Sequence, residues 1–391
     1  MTDKRLVVTN SWRACAASPG RRQVLGSAAG LLTGLTLANS ARAQNTSNLV
    51  SSAPTTRWTP SASEGRVDVH AHYLPERYRA ALADAGHGQP SGMPAIPRWS
   101  VAEHIQMMDQ QHISAAMLSI SAPGLHFGDD AAARQLARYC NEEGARAMQA
   151  HPKRFGLFAA LPLPDVDGAL VEIDYAFDTL HADGVVMESN YHGIYLGDAR
   201  LDAVFAELNR RDTTVFIHPT DPHCPCCQGQ HQGQGQAQTT TLPPLGYPYP
   251  MMEFIFETTR AVFNLILSGT LEKYPRLKII VPHAGAAVPV LAARVGAFHS
   301  LLKVGRNQTP VDAAIRCLYY DLAGMPEPVA LCALLHIADP KRVLYGSDYP
   351  YTPAPLAAQL AAMLDASPHI PPELQRDFMR ENALALFPGL R

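Results

Sequence analysis

The chain has 391 residues, 47% of them hydrophobic and 17% charged, with a formal net charge of −3. This composition excludes a disordered or fibrous chain, and the near-balanced charge excludes the basic footprint of a nucleic-acid-binding protein. The length suits one large α/β barrel or two ordinary domains.

Residues 1–43 stand apart from the rest. GRRQVLG (Gly20 to Gly26) carries twin arginines ahead of a Gly-rich apolar run through Leu37, and ARAQ places small residues at Ala41 and Ala43. The run is too short and too weakly apolar for a membrane span, and the order of regions predicts a twin-arginine export signal. Removing it leaves 26 basic against 34 acidic side chains, a charge of −8. The expectation is a periplasmic protein, delivered by the twin-arginine export machinery and without a membrane anchor after processing. Residues 44–65, rich in Ser, Thr and Pro, read as a linker or wrapped arm, and residues 66–391 as the catalytic domain.

From there, short apolar runs alternate with longer amphipathic stretches. Strands are predicted at Val67–His70, Ser114–Ile120, Arg154–Leu161, Gly184–Glu188, Thr214–His218, Leu277–Pro282, Leu318–Leu322 and Val343–Tyr345. Helices are predicted between them, most clearly at Ala131–Gln149, Gly168–Ala182, Leu201–Arg210, Met251–Leu267, Val288–Leu302 and Pro328–Leu335, with a closing helix over residues 371–387. Eight strand–helix alternations predict an α/β fold of the (β/α)₈ TIM-barrel type. A Gln/Gly-rich segment, Cys224 to Leu245, interrupts the rhythm after the fifth strand. Its Cys224, Cys226 and Cys227 read as a disulfide or a soft-metal site. Cys140, Cys317 and Cys332 sit in apolar contexts and read as buried thiols.

Four polar signals end four of these strands: His70 and His72 in VDVHAH, His218 in VFIHPT, His283 in IIVPHAG and Asp348 in VLYGSDYP. His70 and His72, two residues apart, share one strand face. In a barrel all these ends converge on the C-terminal mouth, and several imidazoles with one carboxylate there form a ligand set for Zn²⁺ or a similar divalent ion. Asp68 shares the face of the two histidines and is expected deeper in the barrel.

The motifs DVHAH, IHPT, PHAG and GSDYP, in this order, resemble the amidohydrolase superfamily. More narrowly they resemble its branch of aminocarboxymuconate-semialdehyde and aromatic-acid decarboxylases. LSISAPG (Leu118–Gly124), the YLGD run from Tyr195 and the ETTR helix are most similar to 6-methylsalicylate decarboxylases. The resemblance spans nearly all of Val67 to Phe387. It implies that His70, His72, His218 and Asp348 hold one divalent metal, Zn²⁺ or alternatively Mn²⁺, with His283 beside it as general acid/base. It also implies that Glu257 orients His283, that Arg294 reaches a substrate carboxylate across a subunit interface, and that the protein is a homodimer. The fourth strand, GVVMES, has no lysine for a second metal; Glu188 is the residue there that could bridge one. The muconate enzyme's substrate-binding arginine before the second strand has no counterpart, only His104 and Gln106.

Two reactions suit such a site. One is nonoxidative decarboxylation of an aromatic or unsaturated carboxylic acid, with Asp348 or His283 carrying a proton to the carbon that loses CO₂. The alternative is hydrolysis of a lactone, ester or amide by metal-activated water. The branch resemblance favours the first.

Overall fold

A computed structural model describes residues 57–223 and 246–391. The expected export signal, most of the linker and the Cys224–Cys227 cluster lie outside the described residues. Eight parallel strands form one sheet in sequential order: β1 (Arg66–His72), β2 (Ile113–Ser119), β3 (Phe155–Ala160), β4 (Gly184–Glu188), β5 (Thr214–His218), β6 (Lys278–Val281), β7 (Tyr319–Asp321) and β8 (Val343–Leu344). The sheet closes on itself. Asp68 bridges Tyr345 and Ala71 bridges Tyr349 in parallel, and the Val69 and His72 amides donate to the Tyr345 and Tyr349 carbonyls at 2.9 and 2.7 Å.

The strands form where the sequence is continuously apolar because both faces of a parallel barrel strand are buried, one by the interior and one by the helices. Every residue of β1, β3, β4 and β5 is buried. Alternation then decides what points inward. On β5, Phe216 shares the face of His218; its ring stacks on Phe158 at 5.4 Å and meets His70 edge-on at 4.8 Å. An aromatic floor therefore underlies the polar mouth.

Helices cover the outside, and Val288–Leu302 begins and ends where the sequence places it. Other boundaries move. The helix after β5 starts at Glu253, because the prolines at 248 and 250 build a separate short turn over Tyr249–Met251. The helix after β3 stops at Asp178, and His181 follows in the left-handed region at φ 57°. The closing helix is three pieces: Pro372–Arg376, a widened π turn over Asp377–Glu381 and Asn382–Leu386. That turn buries Phe378 and Met379 and lets Arg380 donate to the Gly65 carbonyl at 2.6 Å. A short hairpin, Asn190–Tyr191 with Ile194–Tyr195, follows β4 and is absent from the sequence expectation.

At the N-terminal side of β1, the Arg57 guanidinium donates to the carbonyls of Ser367 and Ile370 at 2.5 and 3.3 Å. Of the three thiols expected to be buried, only Cys140 is; Cys332 is half-buried and Cys317 exposed. Cys317 caps the helix Val311–Arg316 on the outer surface, where an apolar neighbourhood in sequence does not become an interior in space. Among the described residues, no helix is long and apolar enough to cross a membrane.

Candidate metal centre

The ends of β1, β5 and the β8 extension bring His70, His72, His218 and Asp348 together, with one donor atom of each lying within 4.8 Å of the others. Both β1 histidines point inward although a bulge falls between Asp68 and Ala71. His72 Nε2 lies 3.1 Å and His70 Nε2 3.5 Å from Asp348 Oδ1. The opposite edges of these rings are held by the wall: His70 Nδ1 lies 3.0 Å from Asp321 Oδ2, and His72 Nδ1 2.9 Å from Ser119 Oγ. His218 Nε2 lies 3.3 Å from Ser121 Oγ. Asp348 adopts φ 59° and its amide donates to the His70 carbonyl at 2.7 Å. A non-glycine residue held at positive φ marks a site whose surroundings over-determine it.

His283 follows β6 by two residues at φ 56°, with Ala284, Gly285 and Ala286 also at positive φ. Its Nε2 lies 3.9 Å from Asp348 Oδ2 and its ring centroid 5.1 Å from that of His70. Asp321, at the end of β7, carries little signal in the sequence and holds the mouth together. One oxygen pairs with His70, and the other accepts the backbone amides of His283 at 3.0 Å and Ala323 at 2.9 Å. The only signal for it was a lone carboxylate ending the apolar run LYYD. Asp68 lies deeper, fully buried, with Oδ1 accepting the amides of His70 and Ser347, each at 3.0 Å.

Burial alone would lower the His70 imidazole, but the carboxylates of Asp321 and Asp348 outweigh it and raise the group to about 10. Burial would likewise raise Asp348, yet His283, His70 and His72 hold it well below the usual carboxylate range. His72 and His218 are pushed down by burial and by their neighbouring imidazoles. The two carboxylates flanking His70 thus make a local field that favours positive charge at this point of the mouth. His70 Nε2 is buried without a hydrogen-bond partner. Three imidazoles and a carboxylate are a suitable donor set for a divalent ion, and the residues present fit one.

The remaining sequence candidates fall elsewhere. Glu257 is fully buried on the helix Glu253–Leu267, but it accepts from Asn190 at 2.8 Å and Tyr195 at 2.9 Å and pairs with Arg260. It tethers the hairpin after β4; no hydrogen bond joins it to His283, because its helix presents it to β4's side of the rim. Arg294 is exposed on the helix Val288–Leu302, its guanidinium 4.9 Å over the Phe298 ring, and does not line the cavity of its own chain. His104 is buried with Nδ1 accepting from Trp99 at 2.9 Å, and burial lowers it to about 3, so it serves the packing. A cavity of about 770 Å³ opens onto His218, His283 and Asp348 and is otherwise lined largely by apolar side chains such as Met93, Phe254 and Met325. No lysine or arginine of the described residues lines it.

A profile of the amidohydrolase family matches residues 67–389. The chain is 37% identical over 332 residues to 6-methylsalicylic acid decarboxylase of Penicillium expansum, covering 83% of this chain and 97% of that one. A solved structure of an amidohydrolase II superimposes with a TM-score of 0.75 at 31% identity, over 83% of this chain and all of that one. A 5-carboxyvanillate decarboxylase from Novosphingobium aromaticivorans, solved with manganese and a nitrobenzoic acid, shares the fold with a TM-score of 0.71 at 22% identity, over 84% and 97% of the two chains. The chain belongs to the amidohydrolase superfamily, in the decarboxylase branch that contains the 6-methylsalicylate decarboxylases.

Proposed function

We propose that the protein is a metal-dependent nonoxidative decarboxylase of an aromatic carboxylic acid of the salicylate type. The observation that carries this reading is the tight cluster of His70, His72, His218 and Asp348 at the base of a largely apolar cavity, in a chain 37% identical to a 6-methylsalicylic acid decarboxylase. We assign those four residues as the metal ligands and His283 as the acid/base.

A bound divalent ion supplies Lewis-acid chemistry and a template for a carboxylate with its ortho-hydroxyl. The protein's own groups do the rest. The apolar wall, including Met93 and Phe254, packs the ring and excludes water. His283, 3.9 Å from Asp348, delivers a proton to the ring carbon that bears the carboxylate. The carbon–carbon bond then breaks, its electron pair restores the aromatic ring, and CO₂ leaves. Proton delivery of this kind contributes roughly 10²–10⁴-fold. Relatives at 34–37% identity are named as decarboxylases, which favours this reading over the hydrolytic alternative.

Zn²⁺ suits three imidazoles; Mn²⁺ is the ion named with the related 5-carboxyvanillate decarboxylase. Export by the twin-arginine route to the periplasm is supported by the paired Arg21 and Arg22 and the Ala41–Ala43 pattern. A homodimer is supported by the exposed apolar side chains of the helix that carries Arg294.

The test is incubation of the purified protein, restored with Zn²⁺ or Mn²⁺, with 6-methylsalicylate and related hydroxybenzoates, followed by NMR. A new ring proton that appears with loss of the carboxylate, and is absent with Asp348→Asn, is the expected result. No turnover of any such acid by protein carrying stoichiometric metal would refute the reading.

A further inference from the structure

The three clustered histidines arise from barrel strands, and two of them divide their ring nitrogens in one way. His70 turns Nδ1 to Asp321 and His72 turns Nδ1 to Ser119, and both leave Nε2 facing Asp348. His218 extends the pattern. Its Nε2 lies beside Ser121, which lines the cavity, and its Nδ1 faces Oε2 of Glu188 at 3.6 Å. Glu188 ends β4 directly opposite His218 on β5.

Both facing atoms, His218 Nδ1 and Glu188 Oε2, are buried with no hydrogen-bond partner. An unpaired buried polar atom is costly, so two that face each other are a site of mutual satisfaction. At 3.6 Å they need only close by a few tenths of an ångström to reach ordinary hydrogen-bond length. Glu188 is held on this course from two sides. Its backbone amide donates to the Tyr191 hydroxyl at 3.0 Å. The loop after β2 lies against its side chain at Gly124, where φ is +81° and an added Cβ would come within 3.2 Å of Glu188 Cγ.

We propose that Glu188 is a positioning residue of the metal centre: its carboxylate accepts the Nδ1–H of His218 and so presents Nε2 to the ion. The proposal rests on the metal-centre reading above. A carboxylate behind a ligating imidazole fixes the tautomer, locks the ring and strengthens the donor. Each strand histidine then has its own wall partner, Asp321, Ser119 or Glu188. This role differs from bridging a second ion, since the four-residue cluster closes without Glu188, which lies beside one member of it.

Metal affinity decides the matter, read by competition against a chromogenic chelator for Zn²⁺ and Mn²⁺ in the wild type, Glu188→Gln and Glu188→Leu. Glu188→Leu should weaken binding roughly 10–100-fold. Glu188→Gln, which keeps an acceptor oxygen, should stay within a few-fold of the wild type. The metal-free proteins should melt at similar temperatures, since a structural role would lower the melting point of Glu188→Leu without this metal-specific loss. Wild-type affinity in Glu188→Leu would overturn the proposal. So would a Glu188→Gln variant as weak as Glu188→Leu, the result expected of a carboxylate that binds the ion directly. Failure of the wild type to bind either ion would overturn the metal centre itself, and Glu188's role with it.

Discussion

At the barrel mouth His70 and His72 are fully buried, whereas on the helix Val288–Leu302 the side chains of Val290, Phe298 and Leu301 are 66%, 44% and 76% exposed. Single exposed apolar residues are ordinary; buried polar groups and contiguous exposed apolar surface are the informative exceptions. The two regions are such exceptions with opposite sign. Burying imidazoles costs desolvation, which Asp321, Asp348 and Ser119 offset through hydrogen bonds. Exposing Phe298 and Leu301 forfeits hydrophobic stabilisation that a covering surface would return. On the reading proposed above, each region would be completed by a second body: an ion at the mouth, another chain on the helix. The contrast also explains why the mouth is strained and the helix is regular. Donor atoms must be aimed to fractions of an ångström, and positive φ at His283 and Asp348 helps aim them, while an apolar face needs only its residues on one side.

Asp321→Ala would break the mouth's side of this contrast most severely. It leaves His70 Nδ1 and the His283 amide without their acceptor, and the expected loss in metal affinity is roughly 10–100-fold, measured by chelator competition; an unchanged affinity would mean that the desolvation of His70 is offset elsewhere. The helix side yields to Phe298→Glu with Leu301→Glu. Light scattering should show the mass of a dimer falling to that of one chain, with self-association weakened about tenfold or more, while metal content is kept. A wild type that is already a single chain would erase the comparison. The smallest effect is expected at Asp68, whose carboxyl burial raises from the ordinary 3.8 to about 7. Because the folded value is raised, the fold favours the protonated form; this contribution is full below pH 4 and is lost as pH rises through 7. In the metal-free protein, Asp68→Asn should therefore match the wild type near pH 4 and melt above it near pH 8. The expected gain is roughly 1–2 °C for each kcal/mol recovered. A gap that stays constant with pH would show that Asp68 does not titrate in this range.

The strands and the clustered histidines were legible because both obey short-range rules. Buried parallel strands are apolar runs, and a polar residue that interrupts the end of one is conspicuous, as in TVFIH and VDVHAH. Asp321 was not legible for the converse reason. It is one carboxylate with no repeating spacing, and its partner His70 is 251 positions away. Glu257 shows a different limit. Its place on a helix could be read, but the direction it takes from that helix depends on the hairpin at Asn190 and Tyr195, which has no strong local signal. Cys317 failed likewise, since apolar neighbours along the chain do not report which side of a helix end meets solvent.

Closure of the barrel has a consequence for the timing of assembly. The bonds that seal it, Val69 to Tyr345 and His72 to Tyr349, belong to the segments that carry members of the donor cluster, and Asp348 hydrogen-bonds through its amide to His70 itself. His72 and Asp348, adjacent in space, are 276 positions apart. A nascent chain emerging from the ribosome therefore has no four-donor site until its last strand is synthesised and docked. An ion held by all four donors would thus be bound late, once the whole ring of strands is in register.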